Sequence, residues 1–238
     1  MNKSLFDLLE GLPLPDYIKV QINNFRILAF QYAQLETIKQ KRCIDEKGNP
    51  IPWYTYPALD FLKAFDFGKK VVFEYGGGSS TLWWAERAER VVTVEHDKSW
   101  YYKLKESASS FTNVEIALKE KEEEYVNYIL EQSSAFDIVV VDGRWRGKCA
   151  RVLGGKLNKA SDEGYMVILD NSDWYPGISR YLREELDLIG VDFTGFGPIN
   201  GYIWTTSVFL SRNFRFKFKE SFSVSGGCRR DDDLYELF

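Results

Sequence analysis

Glu74, Gly76, Gly77 and Gly78 close an apolar, β-branched run in the stretch VVFEYGGGSSTLWW, residues 71–84. An acid followed by glycines, set between a strand and a helix, brings main-chain amides against a nucleotide-like ligand. A side chain at such a turn would hold the ligand away. Ser79, Ser80 and Thr81 follow. Each can cap the helix by accepting a bond from an unpaired amide. The next apolar run, RVVTVEHD at residues 90–97, ends in Glu95. A carboxylate there faces the turn across the crevice and can accept both hydroxyls of a ribose. His96, the one histidine of the chain, stands beside it. That place suits a wall of the adenine site, or a plain loop, better than a catalytic base.

A second group of polar residues closes two later runs. VVVDGRWR places Asp142 at a strand end, and VILDNSDWYPG places Asp170 and Asn171 at the next. Neighbouring parallel strands bring these ends into one crevice. Two carboxylates and an amide oxygen are hard ligands that suit Mg²⁺. A metal there would orient two oxygens and lower a hydroxyl pKa. Without metal, Asp142 would touch cofactor or substrate directly, and Asp170 and Asn171 would form an Asx-turn.

The spacing of Glu74, Gly76 and Gly78 resembles the first motif of class I S-adenosylmethionine-dependent methyltransferases. Asp142 with Asp170 and Asn171 resembles the metal site of catechol-type and caffeoyl-coenzyme-A-type O-methyltransferases. Pro176 and Gly177 resemble the loop that follows in those enzymes. The resemblance runs from Phe73 to Leu210 and points to a bacterial group associated with glycan or secondary-metabolite pathways. It implies a cofactor site of Glu74, Gly76, Gly77, Gly78, Ser79, Ser80, Glu95, His96 and Asp142. It implies Mg²⁺ on Asp142, Asp170 and Asn171, with Asp142 and Asp170 catalytic. One departure stands out. The catechol-type lysine base has no counterpart, because Arg144, Trp145 and Arg146 fill its region and arginine accepts no proton. Lys148 is near but out of register.

The elements that must position these residues alternate. Strands are expected at 71–75, 91–95, 114–118, 137–142 and 165–170, with helices between them, such as 100–108 and 123–131. Alternating strands and helices imply a parallel sheet covered on both faces. Runs 191–196 and 205–211 are joined by a linkage too short for a helical crossover, so they pair antiparallel. The expected fold class is therefore α/β, a doubly wound, mostly parallel seven-stranded sheet with an antiparallel terminal strand. The first 42 residues read as helical, with Ile18, Ile22, Phe25, Leu28 and Ala29 at helix spacing. Gly48, Pro50, Pro52 and Pro57 mark a loop carrying Trp53, Tyr54 and Tyr56. A short helix over 58–64 leads into the first strand. The expected organisation is a helical cap and aromatic loop over 1–62, a cofactor-binding domain over 63–213 and a tail over 214–238.

Arg144, Arg146, Lys148 and Arg151 make a basic run. It reads as a solvated helix face, or as arginine forks for a substrate uronate or phosphate. Loop aromatics, among them Trp53, Tyr56, Trp174, Tyr202 and Trp204, suit a sugar or other cyclic substrate. Trp83, Trp84 and Trp100 fall on helices and read as core. The expected substrate residues are Trp53, Tyr56, Arg144 and Trp174.

Of the 238 residues, 45% are hydrophobic and 28% charged, which suits an ordinary globular core. A net charge of −4 and a pI near 5.3 argue against nucleic acid as the main partner. Cys43, Cys149 and Cys228 match no metal spacing and point to a reducing compartment. The start lacks a signal-peptide core, and no run is long enough to span a bilayer. The expectation is a cytoplasmic S-adenosylmethionine-dependent O-methyltransferase, with a small-molecule or glycan substrate and a homodimeric form. Two alternatives stand beside it. A nicotinamide-dependent oxidoreductase is disfavoured because Thr81 stands where the dinucleotide fingerprint has glycine or alanine. A non-catalytic cofactor-binding protein is disfavoured by the intact acids Glu74, Glu95, Asp142 and Asp170.

Overall fold

The computed structural model describes residues 11–220. Helix α1 (Asp16–Arg26) runs into a π-helical turn (Ile27–Gln31) and then α2 (Gln34–Gln40). Ala33, at φ 54°, breaks the two apart. The N-terminal stretch is thus helical, but α1 buries none of its side chains. Ile18 and Phe25 are exposed, and Ala29 is the buried member of the expected apolar face. Helix α3 (Tyr56–Lys63) starts earlier than expected because Pro57 lies in its first turn, where a missing N–H costs nothing.

The alternation then proceeds through β1 (Val71–Tyr75), α4 (Ser79–Ala85), β2 (Arg90–Glu95) and α5 (Lys98–Ser107). It continues with β3 (Val114–Leu118), α6 (Glu122–Glu131), β4 (Ile138–Val141), α7 (Arg146–Leu153) and β5 (Met166–Leu169). A 3₁₀ turn (Ser172–Trp174), α8 (Pro176–Glu184), β6 (Ile189–Gly195) and β7 (Trp204–Leu210) complete it. The seven strands form one sheet of order β3-β2-β1-β4-β5-β7-β6. β1 to β5 pair in parallel, and β7 runs antiparallel to both β5 and β6.

Each strand presents alternate residues to two cores. Val72, Ile138, Val140, Met166, Ile168 and Val208 face α3 and α4. Phe73, Tyr75, Val139, Val141, Val167 and Leu169 face α6, α7 and α8. Tyr54, Tyr56 and Leu59 belong to the first core, so the N-terminal segment shares the sheet's core. Phe214 and Phe216 pack on that same core. Asp66 N donates to Lys217 O and Lys219 N to Ala64 O, which ties residues 214–220 beneath α3. The rest of the expected tail, with Cys228, lies outside the described residues, as do residues 1–10. Among the described residues no helix is long and apolar enough to cross a membrane.

This order places the carboxyl ends of β1 and β4 side by side, with helices leaving them toward opposite faces. That is the crevice in which doubly wound sheets bind ligands.

Candidate active site

The glycine turn sits in that crevice. Gly76 has φ 84°, and a Cβ there would lie 2.5 Å from Gly143 Cα. Only glycine at both places lets the turns after β1 and β4 touch. A Cβ on Gly77 would meet Leu104 and Thr93 at 2.4 and 2.6 Å. Gly78 has room around it, so a side chain there would intrude on the cavity rather than on the protein. Gly78 N donates to Thr81 Oγ1 at 3.0 Å, so of the three hydroxyl residues Thr81 caps α4.

Thr81 also explains Glu74. The Thr81 hydroxyl donates to Glu74 Oε2, and Thr93 Oγ1 donates to the same oxygen at 3.0 Å. Glu74 is fully buried beneath the turn, and its Oε1 has no hydrogen-bond partner. Burial pushes its pKa up to about 7, against the hydroxyls of Ser80, Thr81 and Thr93, which hold it down. The sequence reading assigns Glu74 to the cofactor. The structure places it under the turn instead, outside the lining of the cavity, as a buttress for α4.

A cavity of about 1010 Å³ opens above the turn. Of the residues expected to bind cofactor, Gly76, Gly77, Gly78, Ser79, Ser80, Glu95 and His96 line it. Glu95 is buried, with Oε1 accepting from His96 N at 2.7 Å and Asp97 N at 2.8 Å. Its Oε2 accepts from Gly77 N at 3.2 Å. The carboxylate is therefore held by three amides at the lip of the turn. His96 Nδ1 lies 2.8 Å from Glu95 Oε1 but is not aligned for a hydrogen bond. The imidazole stands edge-on to Tyr125 and Trp145. Trp100 is a residue that the sequence reading misses. It is 48% exposed, its Nε1 donates to Gly77 O at 2.6 Å, and its ring lines the cavity.

Asp142, Gly143, Asp170 and Asn171, at the ends of β4 and β5, also line the cavity. Arg146, in the first turn of α7, joins them. Trp145 at φ 51° and Asn171 at φ 52° turn the two loops toward one another. Arg146 Nε donates to Gly143 O at 2.9 Å, and Nη1 donates to Asp170 O at 2.5 Å and Asn171 Oδ1 at 3.1 Å. Its Nη2 donates to Asp142 O at 3.0 Å and Asp142 Oδ1 at 2.9 Å. All five donors of the guanidinium are thereby taken by the ends of β4 and β5. Asp170 Oδ1 in turn accepts from Trp204 Nε1 at 3.0 Å and Thr206 Oγ1 at 2.5 Å.

These bonds bear on the metal expected at Asp142, Asp170 and Asn171. Asp142 Oδ1 and Asn171 Oδ1 point at Arg146, and Asp170 Oδ1 at β7. Among the described residues no group of three or more His, Cys, Asp or Glu could hold a metal ion. The trio does not fit Mg²⁺, because a guanidinium already stands among its oxygens. Arg146 is likewise no fork for a substrate anion, since it has no donor left. Burial and the neighbouring Asp170 push the Asp142 pKa well above the ordinary range. Burial raises that of Asp170 to about 6. Lys148 lies outside the cavity, paired with Glu122.

Trp53, Arg144 and Trp174 line the same cavity, next to Lys41, Arg42 and Tyr202. Tyr56 does not. Its ring is buried 4.5 Å from that of Tyr32, because Pro57 starts a helix where a loop is expected.

No family model matches the chain, and no curated protein sequence does. Solved structures do match. A proposed caffeoyl-CoA O-methyltransferase from Staphylococcus aureus aligns at 14% identity over 79% of this chain and 97% of that one, with a TM-score of 0.52. An rRNA methylase from Streptococcus thermophilus aligns at 13% identity over 64% and 92%, with a TM-score of 0.48. A protein from Streptococcus mutans, solved with SAH and described as a candidate methyltransferase, aligns at 13% over 65% and 96%, with a TM-score of 0.48. The likeness is one of architecture, and the chain has the fold of the class I methyltransferases.

Proposed function

We propose that this chain is an S-adenosylmethionine-dependent O-methyltransferase, acting on the hydroxyl of a small molecule or saccharide without a metal ion. The observation that carries this reading is one cavity lined by Glu95, the glycine turn and Asp142 together. The dinucleotide alternative fits less well, because β7 is antiparallel where the dinucleotide fold continues in parallel.

When bound, the cofactor supplies an activated methyl group on a sulfonium. The residues present suit it. The glycine turn lets a ligand approach its main chain without side chains in the way, Glu95 accepts the ribose hydroxyls, and His96 and Trp100 flank the base. Asp142 has one oxygen held by Arg146, while Oδ2 accepts no bond from a described residue. That oxygen takes the proton of the attacking hydroxyl. A carboxylate with a raised pKa is a stronger base, and Arg146 orients it and favours its ionised form against burial. Asp170 holds no substrate in this reading. It ties β5 to β7 and fixes the carbonyl that Arg146 grips.

The test measures S-adenosylhomocysteine formation from S-adenosylmethionine against a panel of hydroxylated acceptors, with chelator present throughout. Turnover that persists in chelator and is lost in Asp142→Asn, with cofactor binding kept, supports the reading. Full turnover by Asp142→Asn, or turnover that chelator abolishes and Mg²⁺ restores, overturns it.

A further inference from the structure

The cavity contains four carboxylates, those of Glu95, Asp97, Asp142 and Asp170. Each is already bonded within the protein. Glu95 holds three amides, Asp97 caps α5 through Trp100 N, Asp142 meets Arg146, and Asp170 meets Trp204 and Thr206. The cations divide differently. Arg146 has all five donors engaged. Lys41, Arg42 and Arg144 also line the cavity, yet none makes an ion pair or a side-chain hydrogen bond with a described residue. Arg144 only lies over the Trp145 ring, at 5.5 Å. Lys103, also unpaired, lies on α5 at the cofactor end.

These three side chains come from two separate parts of the chain. Lys41 and Arg42 follow α2 in the N-terminal segment, and Arg144 lies two residues past Asp142. The fold brings them to one cavity, which Trp53, Trp174 and Tyr202, at 44%, 58% and 50% exposed, also line. Lys41 is held at φ 52°, a conformation that L-residues adopt at some cost. The whole chain is acidic, at −4, so uncommitted positive charge in this cavity runs against the protein's balance.

We infer that the substrate is a ring-bearing anion whose carboxylate or phosphate is read by Lys41, Arg42 and Arg144 and whose ring lies against Trp53, Trp174 and Tyr202. The inference rests on the methyltransferase reading and narrows its substrate class. Arginine forks and a lysine ammonium supply charge-assisted bonds to such a group. Exposed indole and phenol rings supply flat apolar faces to the ring. A neutral analogue would leave the cations without a partner.

The experiment is calorimetry on protein saturated with S-adenosylhomocysteine. Matched pairs are titrated at millimolar concentration: glucuronate and glucose 6-phosphate against glucose, and 4-hydroxybenzoate against phenol. Binding of an acid at least about tenfold tighter than its neutral partner is expected, weakening with added salt. The two pairs distinguish a sugar from an aromatic ring, and the two sugar acids distinguish carboxylate from phosphate. Lys41→Gln with Arg42→Gln, and separately Arg144→Gln, should each weaken the acid about tenfold or more and leave the neutral partner unchanged. Both sites are exposed, and thermal unfolding checks that each variant folds. Equal binding of acids and neutral partners, no binding of any acid, or acid binding unchanged in the variants overturns the inference. Failure of S-adenosylhomocysteine to saturate the protein would instead sink the methyltransferase reading itself.

Discussion

Arg146 Nη2 donates to both the Oδ1 and the main-chain oxygen of Asp142, at 2.9 and 3.0 Å. One side chain thus fixes the carboxylate and the strand end that carries it. The Asp142 and Arg146 side chains are 21% and 11% exposed, so the pair is only lightly screened. Arg146→Ala should cost about 3 kcal/mol of stability, because it strands a mostly buried carboxylate. Arg146→Lys should recover part of that stability but not the grip, since an ammonium cannot reach five oxygens in one plane. Thermal or denaturant unfolding gives the first quantity. In a turnover assay both variants should lower kcat more than KM. Unchanged stability in Arg146→Ala would mean that the guanidinium does not hold the two strand ends.

Glu74 should give the fold a pH dependence. Its pKa is about 7 when folded and lies near 4.5 in an ordinary setting. Between those values the folded state holds a proton that the unfolded chain has lost. Stability contributed by the protonated form is complete below about pH 4.5 and falls as pH rises toward 7. Glu74→Gln keeps the shape and cannot ionise. Unfolding free energies measured at pH 5 and pH 7.5 should differ less in the variant than in the parent. An identical pH dependence in both would assign the effect to other groups.

Trp100 should contribute to cofactor affinity through its ring face. Trp100→Ala should weaken S-adenosylhomocysteine by about 1 kcal/mol, and Trp100→Phe should recover most of that loss. Binding should also quench tryptophan fluorescence less in both variants than in the parent. An affinity that Trp100→Ala leaves unchanged would confine the ring to bracing Gly77.

Much of this is legible in the sequence, and for definite reasons. β1 falls where its apolar run falls, because a strand buried on both faces leaves few polar choices. Glu95 and the glycines can be placed at the cavity from sequence, because a strand-end acid and a turn of close backbone approach call for particular residue types. Three features are hidden. Trp100 reads as core, since helix spacing alone does not show that its face is open. Tyr56 reads as loop, since a proline that starts a helix looks like one that ends it. Arg146 reads as a solvated or substrate-binding arginine. Its true place depends on left-handed turns at Trp145 and Asn171, which no propensity for those residues announces. The expected metal site fails for the same reason, because the cation among its oxygens is a side chain from the next helix.

The central claim is that the turn and Glu95 hold an S-adenosyl nucleoside. Calorimetric titration of the parent chain and Glu95→Gln with S-adenosylhomocysteine tests it directly. One molecule should bind per chain, and the variant should lose about 1.5–3 kcal/mol, the usual range for hydrogen bonds to a charged group. No binding to the parent chain, or equal affinity in the variant, would contradict the account.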